Sequence, residues 1–466
     1  MGVANATNLD RLHRALNGWR SNCDGTIIFT EPGAVFVLEG GYNPTNVSLT
    51  LDASGLAAPV TLTHRGGGLA KGTLLSFGAA KLGIVQGVVA RNIAFANNVR
   101  SAVNGTGAQG SVIQMPGGTA LFESCRFLNN SIVASFHPSV TAGACNGGAL
   151  RFQNCTSLRF DDCVFEGNSA TCDGRMGTGG AVSIGDIAGP VAFNRCSFTG
   201  NKVNTTLSVA VKAASVGGAV FVELATALPQ AVSFSSCHFE GNEAQGMGFL
   251  TTSVAALYVG GAAVGTDPTP AKINPLSISY TDCSFVGNTA TGSLSSNSTM
   301  GLQVLGGAVL SHTNATSTVK GCTFTGNTAV SLSNPTTPPT PTITATVLAG
   351  AGALYVSGLA ATIEFTSFIN NSAASLTEVR GGAAGVHATF SSISNTTWTA
   401  NRASATGPFA NRVYGGGLVS TCRNCRLSLS SCVLVNNSAT LTGTLLSTFV
   451  LPVSTAGTFF WLEGVR

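Results

Sequence analysis

The sequence predicts an all-β chain whose short parallel strands stack, repeat upon repeat, as a β-solenoid. Three observations carry this expectation: one short motif recurs ten times, its key residues stand two apart, and the gaps between copies are elastic. Each copy reads as an apolar residue, two spacers, Cys, any residue, Phe, two residues and Asn. The Asn positions are Asn98, Asn130, Asn168, Asn201, Asn242, Asn288, Asn327, Asn371, Asn401 and Asn437. Three residues earlier stand Phe95, Phe127, Phe165, Phe198, Phe239, Phe285, Phe324, Phe368, Trp398 and Leu434. Two residues before those come Cys125, Cys163, Cys196, Cys237, Cys283, Cys322 and Cys432, with Ile93, Thr366 and Thr396 as substitutes.

Residues two apart on a strand share a face, so each Cys and Phe point inward together, while the residue between them points out. Stacked strands lie about 4.8 Å apart. Equivalent side chains then form columns, and a Phe column adds ring stacking to area burial. The Asn is expected to cap or pair with the next coil and to tolerate left-handed backbone. A second signal lies between motifs: Gly147-Gly148, Gly179-Gly180, Gly217-Gly218, Gly260-Gly261, Gly306-Gly307, Gly381-Gly382 and Gly415-Gly416, with Gly117-Gly118 and Gly350/Gly352 completing the series. These pairs supply backbone freedom where the chain re-enters a coil.

Only 9% of the 466 residues are charged, the net charge is +4, and 58 residues are Gly. Clustered Lys and Arg are missing, which argues against nucleic acid as a partner. Appreciable hydrophobicity (44%) with low net charge excludes a disordered chain.

Phe-x-x-Asn with Gly-Gly-Ala and an aliphatic residue, as in Phe165-Glu-Gly-Asn168, Phe198-Thr-Gly-Asn201 and Gly179-Gly-Ala-Val182, resembles the repeat of the chlamydial-type polymorphic outer membrane proteins. The resemblance covers roughly residues 90–440. It implies a right-handed parallel β-helix of the pectin-lyase-like kind, serving as a surface adhesin or autotransporter passenger. No run of alternating barrel strands follows Asn437, so the resemblance does not extend to a translocating barrel.

Three regions are expected: an N-terminal cap and opening coils at 1–115, repeat coils at 116–440, and a closing coil or cut edge at 441–466. Asn8 caps a short expected helix over Leu9–Leu16, with Leu9, Leu12 and Leu16 on one face. Such a helix would cover the open end of the stack. Thr26–Phe29, Ala34–Leu38 and Val47–Leu51 read as the opening strands. Met1–Asp10 lacks the apolar core of a signal peptide. Val347–Ile363 is the most membrane-like stretch, but its Gly and Ala place it on a regular coil.

Eleven Asn-x-Ser/Thr sequons begin at Asn5, Asn46, Asn104, Asn129, Asn154, Asn204, Asn297, Asn314, Asn370, Asn395 and Asn436. Together with the resemblance, they point to an extracellular or cell-surface glycoprotein. The ladder cysteines are expected to stay reduced as small inward hydrophobes. Cys145 and Cys172, off the ladder and in consecutive coils, are candidates for a bridge across loops. Cys422-Arg-Asn-Cys425 has the spacing of half a zinc or redox site without a second half.

Carbohydrate chemistry on a β-helix needs clustered carboxylates. Asp161-Asp162-Cys163 resembles the Asp-Asp-Cys of polygalacturonases, yet it fills the ordinary spacer slots, and the family's Asn-Thr-Asp and Gly-His-Gly are absent. Glu166 and Glu240 follow ladder aromatics and are expected to face solvent. The six His residues, His13, His64, His137, His238, His312 and His387, form no ligand pair and are expected on outer faces or loops. No residue is assigned a catalytic, cofactor or metal role. The reading is a non-catalytic, monomeric adhesin-like or structural module without a transmembrane helix. It binds a surface protein or glycan through the variable loops 202–216, 243–259, 289–305 and 328–349, the last carrying the Pro-rich Asn334–Pro341. The alternative is a polysaccharide lyase or hydrolase.

Overall fold

Alternation of inward apolar and outward polar residues, broken by Gly and Asn corners, folds the repeats into parallel strands only. The computed structural model describes the chain apart from residues 1, 7–11, 13–15, 17–23, 39–40, 45–46, 65–72, 79–85, 104–107, 136–143, 174–175, 208–212, 224–229, 249–255, 267–275, 295–300, 333–346, 407–411, 421–425, 443–459 and 463–466. The described strands form four sheets of 22, 12, 10 and 9 members, here sheets one to four. The chain visits them in cyclic order. Gly118–Glu123 lies in sheet one, Arg126–Leu128 in sheet two, Ser131–Ser135 in sheet three and Ala144–Asn146 in sheet four, before Leu150–Gln153 returns to sheet one. Each strand pairs in parallel with its equivalent one repeat later, as Phe127 does with Phe165 and Phe165 with Phe198.

The chain opens on Gly2–Ala6, a strand not expected, which pairs with Gly25–Phe29; Val35–Leu38 and Ser48–Asp52 follow, and these three later strands lie close to expectation. The expected helix over Leu9–Leu16 lies outside the described residues except for Leu12 and Leu16. Leu12 is fully buried and Leu16 packs against the core. Val347–Ile363 forms parts of two strands, Val347–Gly350 and Leu354–Glu364, and no described helix is long and apolar enough to cross a membrane. In the last region, Phe460–Leu462 pairs with Leu418–Ser420.

One hydrophobic cluster runs from Leu12 to Leu418. Its spine is the expected aromatic column, Phe95 to Trp398, with successive ring centroids 4.5–5.5 Å apart. The apolar residue three before each Cys builds a second column. Phe122, Phe160, Phe193, Phe234 and Tyr280 stack on one another and meet the first column edge-on. Stacked and edge-to-face pairs each add about 0.5–1.5 kcal/mol beyond area burial.

The Asn column both caps and pairs. Asn168 Nδ2 donates to Phe127 O at 2.8 Å and to Asn201 Oδ1 at 2.9 Å, while its backbone N–H donates to the same Oδ1 at 3.1 Å. The ladder Asn is not the left-handed residue, contrary to expectation. That conformation falls on the residue before it, Asn129, Gly167, Gly200 or Asn370, and on the residue before the Cys, such as Asp162 or Arg195. The side chain is committed to four bonds, Nδ2 donating twice and Oδ1 accepting from the N–H and Nδ2 of Asn130, so the corner is turned one residue earlier.

The Gly series also shifts. Register pairs Ile113 with Leu150, so Gly110-Ser111, not Gly117-Gly118, is the re-entry of that repeat. Gly261-Ala262 and Ala351-Gly352 take the place in two others. Both positions are close: a Cβ on Gly147 would meet the carbonyl oxygen of Leu150, and one on Gly148 that of Gly180.

The ladder thiols are free and, except for the half-buried Cys432, fully buried. Cys163 Sγ donates to Phe122 O one repeat back and to its own Asp161 O, both at 3.4 Å. Thr366 and Thr396 replace Cys because their hydroxyls reach the same kind of carbonyl, Glu364 O at 2.9 Å and Ser394 O at 2.8 Å.

Candidate functional site

Sheets three and four form an arm beside the main core. Its interior holds Ile132, Ala170, Val203, Leu257, Val259 and Leu302. The expected binding loops are largely strand here: Lys202–Leu207 with Ala213–Val216, Glu243–Gly248 with Ala256–Gly260, and Thr289–Leu294 with Gly301–Leu305. The same holds for Thr328–Ser331 with Val347–Gly350. Ala, Gly and Thr with little hydrophobic signal hid these strands in the sequence. Only the connecting segments 208–212, 249–255, 295–300 and 333–346, with the Pro-rich tract, lie outside the described residues.

Register fixes where those segments leave the arm. Ser135 pairs with Asp173, Asp173 with Thr206, Thr206 with Met247 and Met247 with Ser293, so the strand ends form one row. Segments of very unequal length, from 174–175 to 332–346, therefore start from one edge. Lys202 and Glu243, neighbours across repeats on sheet three, are ion-paired at 2.7 Å at the opposite end of these strands, next to the Asn column.

Cys145 and Cys172 form a disulfide inside the arm, with Cα atoms 5.7 Å apart. It joins sheet four of one repeat to sheet three of the next, strand to strand and not loop to loop. Cys155 is a free, buried thiol whose burial raises its pKa to about 12. Burial likewise pushes the Cys163 thiol up. Cys422 and Cys425 lie outside the described residues.

The arm is zipped to sheet one by a seam that the sequence did not announce. Outward residues of the first sheet-one strand face sheet four, repeat by repeat. Gln114 Nε2 donates to Gln109 Oε1 at 3.1 Å, and the Ser183 and Thr178 hydroxyls lie 3.3 Å apart. Further along, Val216, Phe221, Leu305, Leu310 and Tyr355 pack in one cluster. Among the polar pairs sits Arg151, 4% exposed. Its guanidinium donates to Ser183 Oγ at 2.8 Å and to Glu223 Oε2 at 3.3 Å. No local spacing links Arg151 to Glu223, 72 positions away.

Asp161 and Asp162 are engaged by their own neighbours. Asp161 accepts from Arg159 Nε and Asn194 Nδ2, both at 2.7 Å. Arg195 grips Asp162 with two bonds of 2.7 Å and, through them, holds that exposed carboxyl below its ordinary pKa. The pair is therefore a carboxylate and a guanidinium at neutral pH, not a proton donor. Among the described residues no group of three or more His, Cys, Asp and Glu side chains is placed to hold a metal.

Glu166 and Glu240 are exposed in one column with Thr199 between them. His238 lies outward, 3.1 Å from Glu240 Oε2. His387 departs from expectation: it is half-buried, its ring 5.0 Å from that of Tyr355 at the seam. His64 is half-buried, and His13 and His137 are outside the described residues. His312 lies within the strand Val309–Lys320. Compared with known proteins, the chain matches no protein-family model and no curated protein.

Proposed function

We propose that the chain is a right-handed parallel β-helix of the chlamydial-type polymorphic repeat kind, acting as a non-catalytic, monomeric, adhesin-like or structural module outside the cell or on its surface. The single observation that carries this reading is the contrast at the arm edge. The framework repeats in register, while the segments leaving it vary in length and sequence. Solenoids bind with the face that collects such variation. Low charge at that edge favours a surface protein or a neutral glycan over nucleic acid.

The test replaces segments 208–212, 249–255, 295–300 and 333–346 by short Gly-Ser links and measures binding of the chain to intact cells and to isolated surface glycans. Binding should fall at least tenfold with the folded framework unchanged; undiminished binding would overturn the reading. The alternative, a polysaccharide lyase or hydrolase, draws on the adjacent Asp161 and Asp162. It requires Asp162→Asn to abolish release of sugar fragments from an acidic polysaccharide.

A further inference from the structure

The structure sorts the eleven sequons. Six have described side chains: Asn129, Asn154, Asn204, Asn370, Asn395 and Asn436. Five of them, all but Asn204, are exposed and left-handed, with φ between 48° and 53°. They stand at corners where the side chain leaves the sheet. The acceptor hydroxyls two residues on, Ser131, Thr156, Ser372, Thr397 and Ser438, are all at least partly exposed. Asn204 differs: it lies mid-strand in Lys202–Leu207, half-buried, its Oδ1 sealed from solvent.

We propose that Asn129, Asn154, Asn370, Asn395 and Asn436 are sites of N-linked glycan attachment and that Asn204 is not. Two independent observations support this beyond the sequons. At two of the five the corner neighbours are small, Asn370 standing between Gly326 and Ala400, which also adjoins Asn436, whereas Asn129 lies between Asn97 and Gly167, Asn154 beside Asp186 and Asn395 beside the exposed Phe365. An adduct on Asn370 or Asn436 meets no large side chain of the same column. The Cys145–Cys172 bridge, moreover, belongs to an oxidising compartment, the setting in which such transfer takes place. The inference rests on the extracellular reading above.

The donor is a lipid-pyrophosphate-linked oligosaccharide. The side-chain amide nitrogen attacks the anomeric carbon, a C–N bond forms, and the bond to the pyrophosphate oxygen breaks. The lipid pyrophosphate leaves, and the amide proton passes to a base of the transferase. Asn129, Asn370 and Asn436 accept the adduct without loss of a core bond, because the ladder Asn that follows each carries the buried hydrogen bonds.

The experiment takes the full chain from the cells that make it and treats it with peptide N-glycosidase in heavy-oxygen water, which turns each glycosylated Asn into labelled Asp. Label is expected at all five sites. None is expected at Asn204, or at Asn97, which has the same exposed left-handed corner but Val99 where the hydroxyl should be. Ser131→Ala and Thr397→Ala, which leave the corner Asn in place, should each remove one glycan's step in gel mobility. Unlabelled Asn at the five sites, in a chain that is protease-accessible at the surface with Cys145 and Cys172 oxidised, overturns the proposal and leaves the surface reading standing. Label at Asn97 or Asn204 overturns the sorting, and a protease-shielded chain with both thiols reduced overturns both readings.

Discussion

Asn242 and Asn288 are joined twice through one oxygen: Asn288 Oδ1 accepts from the backbone N–H of Asn242 at 3.1 Å and from its Nδ2 at 2.9 Å. Asn242 Nδ2 also reaches Phe198 O at 2.9 Å, and its own Oδ1 accepts twice from Asn201. One side chain thus ties three repeats, where each orphaned buried group costs about 1–3 kcal/mol. Asn242→Ala is expected to lower stability by about 3 kcal/mol or more, against less than about 0.5 kcal/mol for the outward Thr199→Ala. Urea unfolding of both variants checks the contrast, and equal losses would refute the ladder's role.

Two glycines separate steric from conformational cost. Gly148→Ala drives a Cβ against the backbone of the next repeat, where other repeats accommodate Ser111 and Ala262 by a different local path, and should cost about 3 kcal/mol through backbone shifts. Gly200, at φ +60°, has open space around it, so Gly200→Ala should cost only about 1–2 kcal/mol, the left-handed penalty. Thermal unfolding of the two variants reads the difference.

The seam should be sensitive to one partner's loss. Arg151→Ala leaves Glu223 and Ser183 without their common donor and opens space at a buried position, costing about 3 kcal/mol. Glu223→Gln, at a partly exposed position, should cost about 1 kcal/mol. Limited proteolysis should show the arm of Arg151→Ala opening first.

The disulfide closes a loop of 27 positions, so replacing both Cys145 and Cys172 by Ser should cost about 3–4 kcal/mol. In the folded chain, alkylation should label the half-buried Cys432 before Cys163 or Cys237. Mass spectrometry of the digested chain reads both.

Cys155 sets an alkaline limit. Its folded pKa of about 12 exceeds the 9.0 of an ordinary thiol, so the native state holds a proton that the unfolded chain sheds. Its contribution is full below pH 9 and declines from pH 9 towards 12, by about 1.4 kcal/mol per pH unit. Cys155→Ala should flatten that part of the stability profile, measured by denaturant titration at each pH.

Much of this was legible from spacing alone. The two-residue offset of Cys163 and Phe165 placed both inward, and the Asn ladder and the reduced thiols followed from stacking equivalent positions. The pairing of Cys145 with Cys172 also emerged, as a candidate. The candidate site is less legible: spacing locates its loops, but not the strands Lys202–Leu207 and Ala213–Val216 within them, whose small residues carry little period.

Sequence by itself determined the columns, because a repeated motif on parallel strands must meet its own copy one repeat away. Tertiary structure alone decided which faces the arm would cover. Leu305 against Leu310, Arg151 against Glu223, and the corner before each Asn depend on how strands separated by segments of arbitrary length pack, and no local period encodes that contact.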